Sequence, residues 1–148
     1  MSGPVYVPET RYARSGYLQI AYQVVDDGPL DVVFVPSCLS NIEMFWEVLS
    51  FAHFFGRLSS SSRLILFERR GSGMSDGMVA TPLEEQIDDV QAVIDAVGSE
   101  QPVLFTYAEG CGLTAMFAAP HPVQFSARAR GSRSGWRTTV PTATTSRC

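Results

Sequence analysis

The chain contains no lysine, two histidines, three cysteines and no acidic residue after Glu109. Without a lysine, the stretch Gly71-Ser72-Gly73 cannot be a P-loop, which needs that side chain to reach the phosphates. Two histidines are too few for a histidine-rich metal centre. The cysteines have no metal-ligand spacing and no even count, so they indicate neither a zinc site nor a disulfide framework. We therefore expect no metal and no cofactor.

Long apolar runs and a leader sequence are also missing. No stretch approaches the roughly 20 apolar residues that span a bilayer. Residues 1–14 show no basic-then-apolar signal pattern. The composition, 45% hydrophobic and 18% charged, is typical of a globular protein, and 148 residues suffice for one domain. We expect a cytoplasmic protein with no membrane partner.

The charge is divided unevenly along the chain. Residues 1–120 hold all 15 acidic residues and six of the 11 arginines, a balance of −9, and the other five arginines lie in residues 121–148. A basic tail can bind nucleic acid. These arginines are dispersed among Ser, Thr and Ala without periodicity, which favours an irregular tail. We expect no nucleic-acid partner.

Apolar patterns predict an α/β fold with a largely parallel sheet. A continuous apolar run indicates a strand buried on both faces, and spacing of three and four residues indicates a helix. Thr81 is predicted to cap one of the helices, with Pro82 at its first position. The predicted elements alternate along the chain: a hairpin from Tyr12 to Val25, a strand over Asp31–Val35, a helix from Met44 to Leu58, a strand over Arg63–Glu68, a helix to Val97, and a strand, turn and helix over Val103–Ala119.

The last of these segments has the layout of a nucleophile elbow, the strand-turn-helix in which a Gly-x-Ser-x-Gly turn presents a serine. Here the turn reads Thr106-Tyr107-Ala108-Glu109-Gly110. The frame is present, but it contains no serine.

Four stretches together resemble the N-terminal part of an α/β-hydrolase, over about residues 9–122. They are the opening residues 10–24, the strand Asp31 to Pro36, the segment from Phe67 to Ser75, and the elbow region from Phe105 to Ala119. The third is similar to the hydrolase motif Asp-x-Arg-Gly-x-Gly-x-Ser. The chain most resembles hydrolase-like domains found alone or at the N-terminus of actinobacterial class III adenylate cyclases and some transcriptional regulators. The resemblance implies a partial α/β-hydrolase fold with an N-terminal hairpin and flanking helices.

The resemblance aligns Ala108 with the catalytic serine, because Glu109 and Gly110 match the residues that follow it. A methyl group can neither attack a carbonyl nor be activated by a base. Thr106 also replaces the glycine that gives the turn room. Whether Ala108 is natural or engineered stays open, although Thr106 favours a natural loss.

Two further groups of residues are candidates for the site. Cys111 is a substitute nucleophile at the start of the helix or, as the alternative, a small buried helix residue. By resemblance, the backbone N–H groups of Cys38 and Glu109 form an oxyanion hole. In the glycine-rich loop, Ser75 is expected to close a turn, and Arg70 to pair with a carboxylate such as Glu68 or Asp76.

The rest of a catalytic triad has no candidate in the sequence. His53 precedes the elbow, and His121 lies immediately after the elbow helix, so neither is where the family places its histidine. No acidic residue follows Glu109. We expect a truncated α/β-hydrolase-like domain over 1–122 and an Arg/Ser/Thr-rich irregular tail over 123–148, with a frameshift as one hypothesis for the tail.

These observations leave two classes of function open. In the first, the chain is a catalytically incompetent hydrolase-like protein that retains a pocket for a small ester or carbonyl ligand. In the second, it is an ester hydrolase of the same family, active or inactivated by engineering. Whether it is an enzyme is left uncertain. Because strands that would follow the elbow strand are missing, we also expect self-association through an exposed sheet edge.

Overall fold

A computed structural model of the chain describes residues 7–37 and 40–120. The predicted tail over 123–148, His121 and Cys38 lie outside these residues. The helices and strands of the described part are, in order, β1 (Thr10–Ser15), β2 (Leu18–Val25), β3 (Asp31–Val35), α1 (Met44–Glu47), α2 (Leu49–Ser59), β4 (Arg63–Phe67), α3 (Leu83–Ala96), β5 (Val103–Thr106) and α4 (Gly110–Ala118).

The five strands form one sheet in the order β1-β2-β4-β3-β5. Strand β2 is antiparallel to both of its neighbours, while β3 is parallel to β4 and to β5. Four of the five strands therefore run in the same direction. The predicted α/β fold, with a mostly parallel sheet and an N-terminal hairpin, is confirmed.

Helices cover both faces of the sheet. Side chains alternate between the two faces along each strand, so an apolar strand presents apolar side chains to both. In β3, Val33 and Val35 join the cluster that contains Leu113 of α4. The intervening Phe34 joins the opposite cluster, which contains Trp46 of α1 and Phe55 of α2. The core is thus two apolar layers separated by the sheet.

Two local predictions are wrong. The helix predicted from Met44 to Leu58 is broken at Val48, whose φ of −87° and ψ of 109° are extended. Trp46 is buried and its indole N–H donates to the Gln23 side-chain oxygen at 2.8 Å. Helical periodicity does not register a tertiary anchor of this kind. The helix predicted after Thr81 begins at Leu83 with Pro82 as its N-cap, and no side chain caps it.

Candidate functional site

The candidate site lies at the carboxyl ends of β3 and β5, which are neighbours in the sheet. Val35, the last residue of β3, pairs with Thr106, the last residue of β5. The segments that follow these two strands therefore begin side by side. In open α/β sheets, ligands bind at this end of the strands.

The turn between β5 and α4 has a strained residue at its apex. Ala108 is exposed and has a φ of 51°, in the left-handed region. An alanine there costs about 1–2 kcal/mol relative to ordinary helical geometry. The N–H of Cys111 donates to the Ala108 carbonyl at 3.1 Å as the helix begins. The chain thus has the sharp, strained strand-to-helix turn of a nucleophile elbow, with a methyl group at the apex.

Gly110 allows α4 to begin unusually close to β3. A Cβ atom at this position would lie 2.3 Å from Thr106 Oγ1, 2.7 Å from the Val35 carbonyl oxygen and 3.0 Å from that of Pro36. The turn therefore requires glycine here for space. Thr106, which stands where the elbow motif has its first glycine, donates its hydroxyl to the Val35 carbonyl at 3.0 Å. This bond joins the two strand ends.

A side-chain hydrogen bond joins the segment after β3 to the elbow. The Ser37 hydroxyl donates to a carboxylate oxygen of Glu109 at 3.3 Å. Cys38, the other residue of the predicted oxyanion hole, lies outside the described residues. An oxyanion hole formed by Cys38 and Glu109 therefore stays a prediction.

Cys111 and His53 are both on the surface of the described part. The alternative that Cys111 is a small buried helix residue is wrong: it is exposed and its thiol is free. It lies in the first turn of α4, three residues after Ala108, so it does not occupy the apex of the turn. His53 is exposed on α2. Across residues 7–37 and 40–120, no three His, Cys, Asp or Glu side chains form a group that could hold a metal ion.

The glycine-rich loop between β4 and α3 is held by a buried ion pair. Arg70 donates to both carboxylate oxygens of Asp89, at 2.7 and 2.8 Å, and also pairs with Glu85. The prediction that Arg70 pairs with a carboxylate is therefore confirmed, but its partners are Asp89 and Glu85 and not Glu68 or Asp76. Glu68 and Asp76 are close to Arg70 in sequence, whereas Glu85 and Asp89 are brought to it by the packing of α3, which the sequence alone does not indicate.

Glu68 is a fully buried carboxylate within the same loop. It accepts the Ile42 N–H at 2.9 Å and the Met74 N–H, so it joins the start of α1 to the loop. Burial raises the pKa of the Glu68 carboxyl above its ordinary value, although the N–H donors oppose the shift. Gly73, with a φ of 56°, packs so closely that a Cβ would lie 2.3 Å from a Glu68 oxygen. Glu68 therefore organises the backbone around it.

Ser75 is buried and forms two hydrogen bonds. It accepts the Ala21 N–H at 2.9 Å and donates to the Glu68 carbonyl at 3.0 Å. The loop is thus fastened to β2, and the prediction of a structural role for Ser75 agrees with these contacts.

An apolar cleft lies between α2 and β5, and sequence reasoning missed it. Its volume is about 310 Å³. We call it the aromatic cleft. Its lining consists of six aromatic residues and one serine: Phe34, Phe51, Phe54, Phe55, Phe105, Tyr107 and Ser50. The signal in the sequence was the density of phenylalanine in α2, whose helical spacing indicates an apolar face.

Solved structures similar to this chain are α/β-hydrolases. An α/β-hydrolase from Sphaerobacter thermophilus is 29% identical with a TM-score of 0.60, and the match covers 76% of this chain and 40% of that one. Mouse α/β-hydrolase domain-containing protein 10 is 23% identical with a TM-score of 0.64, covering 79% and 46%. An epoxide hydrolase from Vigna radiata is 19% identical with a TM-score of 0.66, covering 82% and 39%.

The match covers less than half of the length of each of these three proteins. No protein-family model and no curated protein matches the sequence. None of the helices in the described residues has the length and apolar character needed to cross a membrane. Taken with the elbow and the order of the strands, the solved structures establish that the chain has a partial α/β-hydrolase fold.

Proposed function

We propose that this chain is a hydrolase-like binding module that does not hydrolyse esters through its elbow. The observation that carries the proposal is Ala108 at the strained apex of the turn. The turn retains the geometry that presents a nucleophile, but the side chain there has no atom that can attack. Covalent catalysis at an elbow needs a hydroxyl or a thiol at this point.

The contacts around the turn support a structural use of the elbow. Thr106 uses its hydroxyl to join the two strand ends, and Gly110 lets the helix pack against them. Both features stabilise the turn without contributing a reacting group. The finer resemblance to domains associated with adenylate cyclases fits a sensor role, in which binding rather than turnover is the useful event.

A second candidate function is ester hydrolysis by Cys111. The exposure of its thiol and its position in the first turn of α4, next to the elbow, favour this alternative, because a thiol can attack an ester carbonyl. Its position three residues beyond the apex is the argument against it, because an elbow presents its nucleophile at the apex of the turn.

Hydrolysis of p-nitrophenyl acetate by the full chain tests the proposal. We expect product release at the rate of the buffer, unchanged by Cys111→Ala. Cys148→Ala is the matched control for a non-specific reaction of thiols. Saturable turnover by the unmodified chain that is lost in Cys111→Ala, but kept in Cys148→Ala, would establish the thiol enzyme and overturn the proposal.

Ala108→Ser separates the missing nucleophile from the missing partners. Serine is a weak nucleophile at its free pKa and needs an adjacent base. We expect the variant to remain inactive, because His53, the only histidine among the described residues, is exposed on α2 and forms no hydrogen bond with the turn. Saturable turnover by this variant would mean that a base does reach the apex. The missing serine hydroxyl would then be all that the chain lacks for ester hydrolysis.

A further inference from the structure

The aromatic cleft lies on the face of the sheet opposite α4. Phe34 of β3 and Phe105 of β5 are register partners, and their rings stack at 5.7 Å. Tyr107, the residue before the elbow apex, stacks on the same Phe34 ring at 5.7 Å. Two rings of neighbouring strands and the Tyr107 ring, which directly follows β5, thus form one wall.

Helix α2 supplies the opposite wall. The Phe54 ring lies 5.3 Å from Phe55 and 5.7 Å from Phe105, so it bridges the helix and the strand. Phe54 is 44% exposed and Tyr107 is 42% exposed. Large apolar rings that remain accessible around a concave space are characteristic of ligand sites.

The size of the cleft selects the ligand. An apolar cavity of about 150 Å³ accommodates one benzene molecule. The aromatic cleft, at about 310 Å³, has roughly twice that volume. Its flat, stacked walls match the offset and edge-to-face packing that aromatic rings prefer.

The charges of the described residues also indicate which ligands the cleft favours. Among residues 7–37 and 40–120, no charged side chain lines the cleft, and the only aliphatic hydroxyl in the lining belongs to Ser50. The described part of the chain holds 15 acidic residues against six arginines. A carboxylate or sulfonate would lose its hydration here without gaining a cation.

We propose that the aromatic cleft binds an uncharged compound of one or two aromatic rings. This inference deepens the proposed function by naming the ligand class, and it rests on the chain acting by binding. Its failure is distinguishable from that of the proposed function, because binding and ester turnover are measured separately.

Equilibrium dialysis of the full chain against 2-methoxynaphthalene tests the inference, with 2-naphthoate as the charged analogue. We expect saturable binding of the neutral compound at one site per chain, and binding of the anion at least about tenfold weaker. Absence of saturable binding of the neutral compound, or equal binding of both compounds, overturns the proposal.

Variants localise the binding site. Phe54→Ala and Tyr107→Ala should each weaken binding roughly tenfold, because each removes a ring from a wall of the cleft. Tyr12→Ala is the matched control: Tyr12 is 50% exposed on β1, at the other edge of the sheet, and we expect no change. If Phe54→Ala does not fold, Phe54→Leu removes the ring while keeping an apolar side chain. Equal binding by all of these variants overturns the proposal.

The same samples test whether a second copy of the chain occupies the cleft instead. Strand β5 lies at the end of the described sheet, so copies could meet beside it. Sedimentation should show a species whose mass does not respond to Phe54→Ala. A dimer that dissociates in Phe54→Ala and takes up no 2-methoxynaphthalene would overturn the ligand proposal.

Discussion

Gly110→Ala tests whether α4 begins as close to β3 as the structure places it. The new Cβ would meet two carbonyl oxygens, those of Val35 and Pro36, at 2.7 and 3.0 Å. Because these are backbone atoms, they cannot rotate away. It would also meet Thr106 Oγ1 at 2.3 Å, and that hydroxyl can move only by losing its bond to the Val35 carbonyl.

The expected loss of stability combines two contributions. Overpacking a tight site costs about 1–3 kcal/mol, and losing a hydrogen bond costs about 1 kcal/mol. Alanine gains up to about 1 kcal/mol over glycine in a helix interior, but Gly110 is at the helix start, where less is gained. We expect Gly110→Ala to lower the free energy of unfolding by about 3 kcal/mol, and Tm by about 10 °C for a chain of this size.

Urea unfolding followed by circular dichroism measures the effect. Gly112→Ala is the matched control in the same helix, because a Cβ there meets nothing within 4 Å. We expect it to be neutral or to stabilise the chain by up to about 1 kcal/mol. Adding Thr106→Ala to Gly110→Ala should recover about 1 kcal/mol by removing one of the three clashes. A Gly110→Ala chain within about 0.5 kcal/mol of the unmodified one would refute the close approach.

Three further changes probe the turn and the ion pairs. Ala108→Gly should raise the free energy of unfolding by about 1 kcal/mol, because glycine tolerates a φ of 51° without the strain of a Cβ; a loss of stability would contradict the left-handed apex. Asp89→Asn should cost about 3 kcal/mol, since it weakens the pairing of the buried Arg70 guanidinium, and thermal unfolding within 1–2 °C of the parent would argue against that pairing. Hydrogen bonds from Arg63 lower the pKa of Asp31 below 3.8, so the pair stabilises the fold above that pH and loses its effect as pH falls through the lowered pKa. Asp31→Asn should therefore cost about 1 kcal/mol at pH 7 in urea unfolding, and the difference should shrink below pH 3.8; a difference that is constant with pH would contradict this assignment.

The strands were predictable because their signals are local. The apolar run predicts β3 at its observed ends, and the hairpin predicted from Tyr12 to Val25 ends at the last residue of β2. The elbow was predictable because glycine, small residues and a short apolar strand occur in a fixed order. The left-handed φ of Ala108 confirms that this order of residue types forms the sharp turn of an elbow.

Features that depend on tertiary contacts were not predictable. The break at Val48 accompanies the burial of Trp46 against Gln23, a partner 23 positions away in sequence. The choice of Asp89 by Arg70 depends on how α3 packs against the loop. The spacing of residues along the chain does not indicate that Trp46 contacts Gln23 or that Arg70 contacts Asp89.

The aromatic cleft was missed for a related reason. Phe51, Phe54 and Phe55 have helical spacing, which predicts an apolar face but not how completely the face is covered. In the structure, Phe55 is fully buried while Phe51 and Phe54 remain accessible beside β5. Only the position of the sheet edge distinguishes a core face from the wall of a cleft.

The elbow combines a retained geometry with a missing reactive atom. Thr106, Gly110 and the apex at Ala108 all belong to the packing between β5, β3 and α4. Their roles explain why the turn keeps its shape although its apex contributes no chemistry.

The mass of the intact chain after incubation with p-nitrophenyl butyrate shows directly whether the elbow contains a working nucleophile. A nucleophile at an elbow forms a covalent acyl intermediate, so a working site adds one acyl group per chain. We expect a chain of unchanged mass, because the methyl group of Ala108 cannot react with the ester. A stoichiometric acyl adduct on residues 103–119 would contradict it.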